Sequence, residues 1–219
     1  MDARTDEFPN LTVVRHPLVA SKMARLRDRA TGDAEFRKLV RELAGLLLVE
    51  ATRGLALRSV EVETPFERAT AQTLVKPVVV VPILRAGLGL CDGVLDVLPE
   101  ARVGHVGVYR NEETLEPVPY YAKVPVEAAG GTVIVVDPMV ATGGTAAYTL
   151  SLLKKRGCGD LRMLALLCAP EGVRRMLEAH PDVPLTAGAL DRGLDANGRI
   201  RPGLGDAGDR IFGTHRLLR

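Results

Sequence analysis

The sequence has no apolar run of the roughly 18 residues that a membrane-spanning helix requires, so no membrane partner is expected. Its opening residues, MDARTDEF, lack the apolar core of a secretory signal, and the expectation is a cytoplasmic protein. Cysteine is sparse. Cys91, Cys158 and Cys168 are odd in number and show no CxxC spacing, which argues against a disulfide framework or a cysteine zinc site and suits a reducing compartment. Excess charge of one sign is also missing. The 29 basic and 27 acidic residues leave +2, too little to favour nucleic acid by composition, so any anion site must be local. There is no internal repeat, low-complexity tract or convincing linker. With 219 residues, 47% of them apolar, the expectation is a single domain with a full core.

From Leu18 to about Leu57 the apolar residues follow a helical period, with Phe36, Leu39, Val40, Leu43, Leu46 and Leu47 on one face after a candidate N-cap at Asp33. Two helices are predicted there. Beyond them come short, wholly apolar runs at Val78 to Ile83, Val103 to Val108, Val133 to Val136, Met163 to Leu167 and Pro184 to Leu190, the signature of strands buried on both faces. Helical stretches at Leu88 to Leu98, Thr145 to Arg156 and Glu171 to Ala179 alternate with them. This alternation predicts an α/β fold, a doubly wound and mainly parallel sheet. Two segments break the rhythm: Asn111 to Val126, rich in Glu, Pro and Tyr, and Asp191 to Thr214, rich in Gly and Asp. Long irregular segments in compact folds often carry function.

VIVVDPMVATGGT, residues 133 to 145, runs from a strand through an acid and a small-residue loop into a helix. Ligands bind at the carboxyl ends of such strands. Thr142, Gly143, Gly144 and Thr145 would present N–H groups and hydroxyls at a helix N-terminus, a favourable place for phosphate. Asp137 at the strand end can accept hydrogen bonds from two neighbouring sugar hydroxyls. Acid and cradle together suggest a ribose phosphate. Read alone, the segment could also be a plain TGG turn linking strand to helix.

Other glycine patterns fail on context. GLGDAG at 203 to 208 follows no apolar strand, GLGLCDG at 87 to 93 places its last glycine one position late, and no GxxxxGK[ST] exists. Arg85 and Arg110 each follow a predicted strand and would emerge at the same sheet edge, where a guanidinium fork suits pyrophosphate. Either one alone could equally be a solvated surface residue.

VIVVDPMVATGGT resembles the phosphoribosyl-pyrophosphate motif of type I phosphoribosyltransferases, and Pro138 after Asp137, instead of a second acid, resembles the uracil phosphoribosyltransferase family within them. VVVVPILRAGLGL at 78 to 90, GHVGVYRNEETLEPVPYYAKVP at 104 to 125, APEG at 169 to 172, HPDV at 180 to 183 and PGLGDAGDRIFGT at 202 to 214 carry the same resemblance, as does Val14 to Arg53. It therefore spans nearly the whole chain. The resemblance implies transfer of uracil to phosphoribosyl pyrophosphate (PRPP), giving UMP and pyrophosphate. It assigns PRPP to Arg85, Arg110, Asp137, Pro138, Met139, Val140, Ala141, Thr142, Gly143, Gly144, Thr145 and Asp206, with Arg110 and Asp137 the candidate catalytic residues. Uracil falls to Ile200, Gly205, Asp206 and Ala207 within a C-terminal base-binding hood, the segment at 191 to 214, read largely by backbone groups. The segment 111 to 126 becomes a β-arm or flexible loop, with Tyr120 and Tyr121, that folds over the site or reaches a second subunit.

Mg2+ is expected with PRPP, not in a protein cage, with Asp137 and Asp206 touching it through water. A homodimer or higher homo-oligomer and a GTP effector are further implications of the resemblance, although no sequence element marks a GTP site. His105, His180 and His215 have no triad-like partners, so no general base is assigned. Asn111, Thr145, Arg199 and Arg201 depart from the family's usual residues, and the last two flank Ile200. Transfer to another pyrimidine is the near alternative. An RNA-binding regulator on the same fold is the distant one, opposed by the near-neutral charge and the intact tail.

Overall fold

The computed structural model describes residues 7–110 and 117–215. A short strand β1 (Leu11–Val13) leads into helix α1 (Pro17–Arg27), then α2 (Asp33–Ala51). Strands β2 (Leu57–Glu63) and β3 (Arg68–Leu74) pair as a separate antiparallel hairpin. The α/β alternation follows: β4 (Val78–Leu84), α3 (Leu88–Val97), β5 (Arg102–Val103), β6 (His105–Arg110), β7 (Pro117–Lys123), β8 (Thr132–Val136), β9 (Met139–Val140), α4 (Gly144–Lys155), β10 (Asp160–Cys168), α5 (Pro170–Ala179) and β11 (Leu185–Leu190). A two-stranded hairpin, β12 (Gly193–Leu194) with β13 (Ile200–Arg201), and the short helix α6 (Ala207–Phe212) close the described chain.

The main sheet runs β1-β11-β10-β8-β4-β6-β7, parallel except for the β6–β7 pair. Alternate residues of its central strands face opposite sides, which is why the sequence there is continuously apolar. Val78 and Val80, Ile134 and Val136, and Leu164 and Leu166 meet the core built with α1, α2, α3 and α6. Val79, Val81, Val133, Val135, Met163 and Ala165 meet the core under α4 and α5. The sheet is doubly wound, as expected.

Several local expectations are corrected. The helical pattern stops at Ala51, and Leu57 opens a strand. Gly32, in an extended conformation, caps α2, while Asp33 is its first helical residue and receives a contact from His215 Nε2 at 3.1 Å. The run from Val103 to Val108 is split at Gly104, where a Cβ would press on Pro125 at 3.0 Å. The segment 111 to 126 needs no such correction where it is described: residues 117–123 form the antiparallel strand of a β-arm, and 111–116 lie outside the described residues.

Candidate active site

β8 delivers Asp137 to the carboxyl edge of the sheet. The Asp137 N–H donates to Leu164 O at 3.2 Å, and Pro138 O accepts from both Leu166 and Leu167. This stitching carries the chain into β9, which pairs with the end of β10. The loop then turns at Gly143, whose φ of +75° lies in the left-handed region. A Cβ there would sit 2.3 Å from Gly172 O. Glycine is demanded by both backbone and space. α4 starts at Gly144, so the unsatisfied N–H groups of its first turn face the cavity edge.

A cavity of about 610 Å³ opens in front of this loop. One wall is Asp137, Pro138, Met139, Val140, Ala141, Thr142, Gly143 and Thr145; the other comes from 198–209, including Ile200, Gly205, Asp206 and Ala207. Residues about 60 positions apart thus enclose one space. Gly144 is buried behind the wall, against Arg175. Arg85 is exposed beside the cavity rather than in its lining, its guanidinium 5.7 Å from the centre of the Phe212 ring; its neighbour Ala86 does line the space. Arg110 ends β6, two strands from β8 on the same sheet, and its side chain lies outside the described residues.

Asp137 is the titratable group in the cavity whose acidity departs most from normal. Burial pushes its carboxyl up to about 7, partly offset by a hydrogen bond from the Met139 N–H. Asp206 has a different task. It caps α6 by accepting from the Asp209 N–H at 2.9 Å. Among the described residues, no histidine lines the cavity. His16 caps α1, and His180 contacts Ser151 Oγ and Ala147 O at 3.0 and 2.9 Å on the far side of α4.

The β12–β13 hairpin explains how Ile200 can act through its backbone. Leu194 pairs with Ile200, yet the Leu194 N–H turns outward to Glu171 Oε1 at 3.1 Å. In antiparallel alternation this is a non-hydrogen-bonded pair, so Ile200 also directs its N–H and C=O away from its partner strand. Its side chain is buried, leaving the backbone at the cavity. Arg201 folds back to Asp195, with Nε to Oδ2 at 2.8 Å, and Asp195 also accepts from the Arg199 and Asn197 N–H groups at 3.0 and 2.9 Å. The Arg199 N–H, foremost, and the Arg201 guanidinium hold the Asp195 carboxyl below its usual range. Arg201 therefore clamps the hairpin turn, while Arg199 stays exposed at the rim.

Three supporting residues escaped the sequence reading. Asp191, buried, accepts from Arg27 at 2.5 and 2.8 Å and from the Gly203 N–H at 2.8 Å. Arg210 lies 4.2 Å from the Phe36 ring centre and donates to the Leu204, Leu26, Asp28 and Thr31 carbonyls. In the sequence Asp191 and Arg210 show only as charged residues inside a glycine-rich tail and Arg27 only as one of the cations of α1, which solvent exposure explains equally well. Gly205 lies in the base wall of the cavity. A Cβ there would point at Arg210 Cδ, 3.6 Å away, so it is the φ of +84° rather than crowding that requires glycine.

The family profile described as uracil phosphoribosyltransferase matches residues 13–214. The uracil phosphoribosyltransferase of Listeria innocua is 53% identical over 206 residues, covering 94% of this chain and 99% of that one. The enzyme of the same name from Clostridium perfringens is 50% identical over 205 residues, covering 93% and 98%. Among solved structures, the AQ2163 protein from Aquifex aeolicus superposes with a TM-score of 0.90 at 38% identity, covering 93% of this chain and 98% of that one. A hypoxanthine-guanine phosphoribosyltransferase from Bacillus anthracis, 15% identical with a TM-score of 0.51 over 73% of this chain and 80% of that one, shares the fold alone.

Proposed function

The chain belongs to the uracil phosphoribosyltransferase family and catalyses transfer of uracil to PRPP with release of pyrophosphate, and we propose that its two cavity walls divide the substrates between them. The loop from Asp137 to Thr145 takes the sugar phosphate, and the segment from Ile200 to Ala207 takes the base. The observation that carries this division is the shared cavity itself, with an acid and a helix N-terminus on one side and outward-facing backbone on the other.

In this reading, the first-turn N–H groups of α4 and the Thr142 and Thr145 hydroxyls hold the 5′-phosphate. Asp137, ionised, accepts from two ribose hydroxyls and so fixes C1′ in front of the hood. Uracil offers O2, N3–H and O4 in sequence, a pattern that alternating backbone donors and acceptors can match. Cytosine would reverse part of it and leave a buried group unpaired, at about 1–3 kcal/mol. N1 of uracil then bonds to C1′ as the bond from C1′ to pyrophosphate breaks, its electron pair leaving on the pyrophosphate oxygen, and the N1 proton passes to the released pyrophosphate or to solvent. Positive charge builds on the ribose, where the Asp137 carboxylate is placed to stabilise it. Arg85 and Arg110 serve the leaving pyrophosphate from the neighbouring strand ends.

The carboxylates of Asp137 and Asp206 face one space without forming a cage, and among the described residues no cluster of three or more metal-ligating side chains occurs. This donor set fits Mg2+ carried by PRPP oxygens and water, with Asp137 and Asp206 as outer partners. The ion would supply charge neutralisation at the leaving group.

A homo-oligomer is part of the same proposal. The β2–β3 hairpin stands off the main sheet with Val60, Val62, Ala69 and Ala71 on one face and Phe66 98% exposed at its turn. Two strands alone are marginally stable, so a second copy packed on that face would complete it. Light scattering on the purified chain tests this, and a monomer at micromolar concentration would refute it. Activation by GTP is proposed from the family resemblance only; a rate unchanged across added GTP would remove it. A cytoplasmic location accords with three buried free cysteines, and no helix among the described residues is long and apolar enough to cross a membrane.

The test of the activity and its substrate is pyrophosphate release from PRPP with uracil, cytosine, orotate and hypoxanthine. Release with uracil alone is expected. Equal release with orotate or hypoxanthine would overturn the assignment of the base wall.

A further inference from the structure

The two cavity walls are distant in sequence and belong to different elements, so something must fix the gap between them. The first turn of α5 touches both. Its cap residue Ala169 donates to Val140 O at 3.0 Å, tying the helix start to the cradle loop. Gly172, buried, lies so close under that loop that a Cβ would come within 2.2 Å of Ala141 O and 2.7 Å of Val140 O. Gly143, at the tip of the loop, meets Gly172 O from the other side. The next residue towards the N-terminus reaches the opposite way. Glu171 Oε1 accepts the Leu194 N–H at 3.1 Å and would lie 3.0 Å from a Cβ on Gly193.

We propose that Glu171 and Gly172 are a pair of positioning residues, adjacent in the chain, which set the distance between base wall and phosphoribosyl wall. Glu171 anchors the hairpin that carries Ile200, and Gly172 seats the loop that carries Asp137 to Thr145. Neither lines the cavity. The chemistry favours a carboxylate at 171: an isolated backbone N–H at the edge of a two-residue strand needs an acceptor, and an anion in the first turn of a helix is favoured by the helix dipole. At 172 any side chain must displace backbone oxygens, not a flexible side chain.

The proposal rests on the division of substrates described above, and its test separates the two. The wild-type enzyme, Glu171→Ala, Glu171→Gln and Gly172→Ala are compared for KM towards uracil, KM towards PRPP, kcat and Tm. Glu171→Ala is expected to raise the KM for uracil about three- to tenfold, the loss of one partly exposed hydrogen bond, with the KM for PRPP and Tm nearly unchanged. Glu171→Gln keeps an acceptor oxygen and should restore most of the uracil KM. Gly172→Ala should show the opposite split, a raised KM for PRPP with the smaller effect on uracil. If Glu171→Ala shifts both KM values equally or neither, or if Gln fails to rescue, the positioning role is refuted, even where Gly172→Ala does not fold. A wild-type enzyme that does not use uracil would instead refute the division of substrates.

Discussion

Arg27→Met keeps the aliphatic stem of the side chain and removes its guanidinium from Asp191. The carboxylate is 6% exposed and the guanidinium 25%, so the pair is largely dry. After the change Asp191 retains one donor, the Gly203 N–H at 2.8 Å. Removing one member of a buried pair costs about 3–5 kcal/mol. The remaining donor and the partial exposure of Arg27 place this case at the lower end, about 3 kcal/mol. For a chain of this size each kcal/mol lowers Tm by about 2–4 °C, so a fall of about 6–12 °C is expected. The damage should be local in function as well, because Arg27 also donates to Gly203 O at 2.8 Å and Asp191 links β11 to the base hairpin. The KM for uracil should rise more than that for PRPP. Calorimetric melting and steady-state kinetics on Arg27→Met, Asp191→Asn and the double variant would decide. The double variant should cost less than the sum of the singles, since each single leaves one charge of the pair stranded and the double leaves none. Additive losses, or a Tm within 2 °C of wild type for Arg27→Met, would refute the reasoning.

Asp137→Asn should lower kcat/KM by at least about tenfold, roughly 1.4 kcal/mol of transition-state stabilisation; an unchanged value with the fold intact by circular dichroism would remove the ribose-holding role. Since burial lifts the Asp137 carboxyl to about 7, kcat/KM for PRPP should rise with pH through neutrality as the group ionises, and Asp137→Asn should lack that rise. The linkage to stability has the opposite sense: a carboxyl raised on folding contributes stability at low pH that is lost as pH climbs towards 7, so Asp137→Asn should flatten the decline of Tm over that window. Gly205→Ala should raise the KM for uracil through backbone strain at φ +84°, with PRPP little affected; equal losses for both substrates would show that the strain spreads beyond the base wall. Arg199→Tyr should leave base preference unchanged, because the exposed Arg199 side chain stands at the rim; a switch of preferred base would mean that side chains read the pyrimidine.

The parallel core was legible because strands buried on both faces admit little but Val, Ile, Leu and Ala, and those runs stand out at 78–83, 133–136 and 163–167. The cradle was legible for a related reason: an acid followed by a small-residue loop and a helix start is a local pattern, and the chemistry is local too. The β2–β3 hairpin was not. Its alternation of Val60 and Val62 with Glu61 and Glu63 is short, and its opening residue Leu57 continued the helical period of α2. β1 and β9, three and two residues long, owe their pairing to strands far away in sequence. The supports of the base wall were illegible for the same reason. Arg27 and Asp191 are 164 positions apart and Arg210 reaches back 184 positions to Leu26, contacts that no periodicity announces. The segment recognised by resemblance at 202 to 214 contained Arg210, but only the folded chain shows that it staples the tail to α1 and α2.

The proposed division of substrates has backbone groups on the wall from Ile200 to Ala207 reading the pyrimidine and the opposite wall holding the sugar phosphate. It is tested most directly by comparing kcat/KM for uracil and N3-methyluracil at saturating PRPP. The methyl group blocks the central N3–H donor and leaves the reacting N1 untouched. Losing one hydrogen bond and adding a buried clash should lower kcat/KM by about a hundredfold or more, with the KM for PRPP unchanged. Use of N3-methyluracil within threefold of uracil would contradict the account, because it would mean that no group on that wall contacts the edge by which uracil differs from other bases.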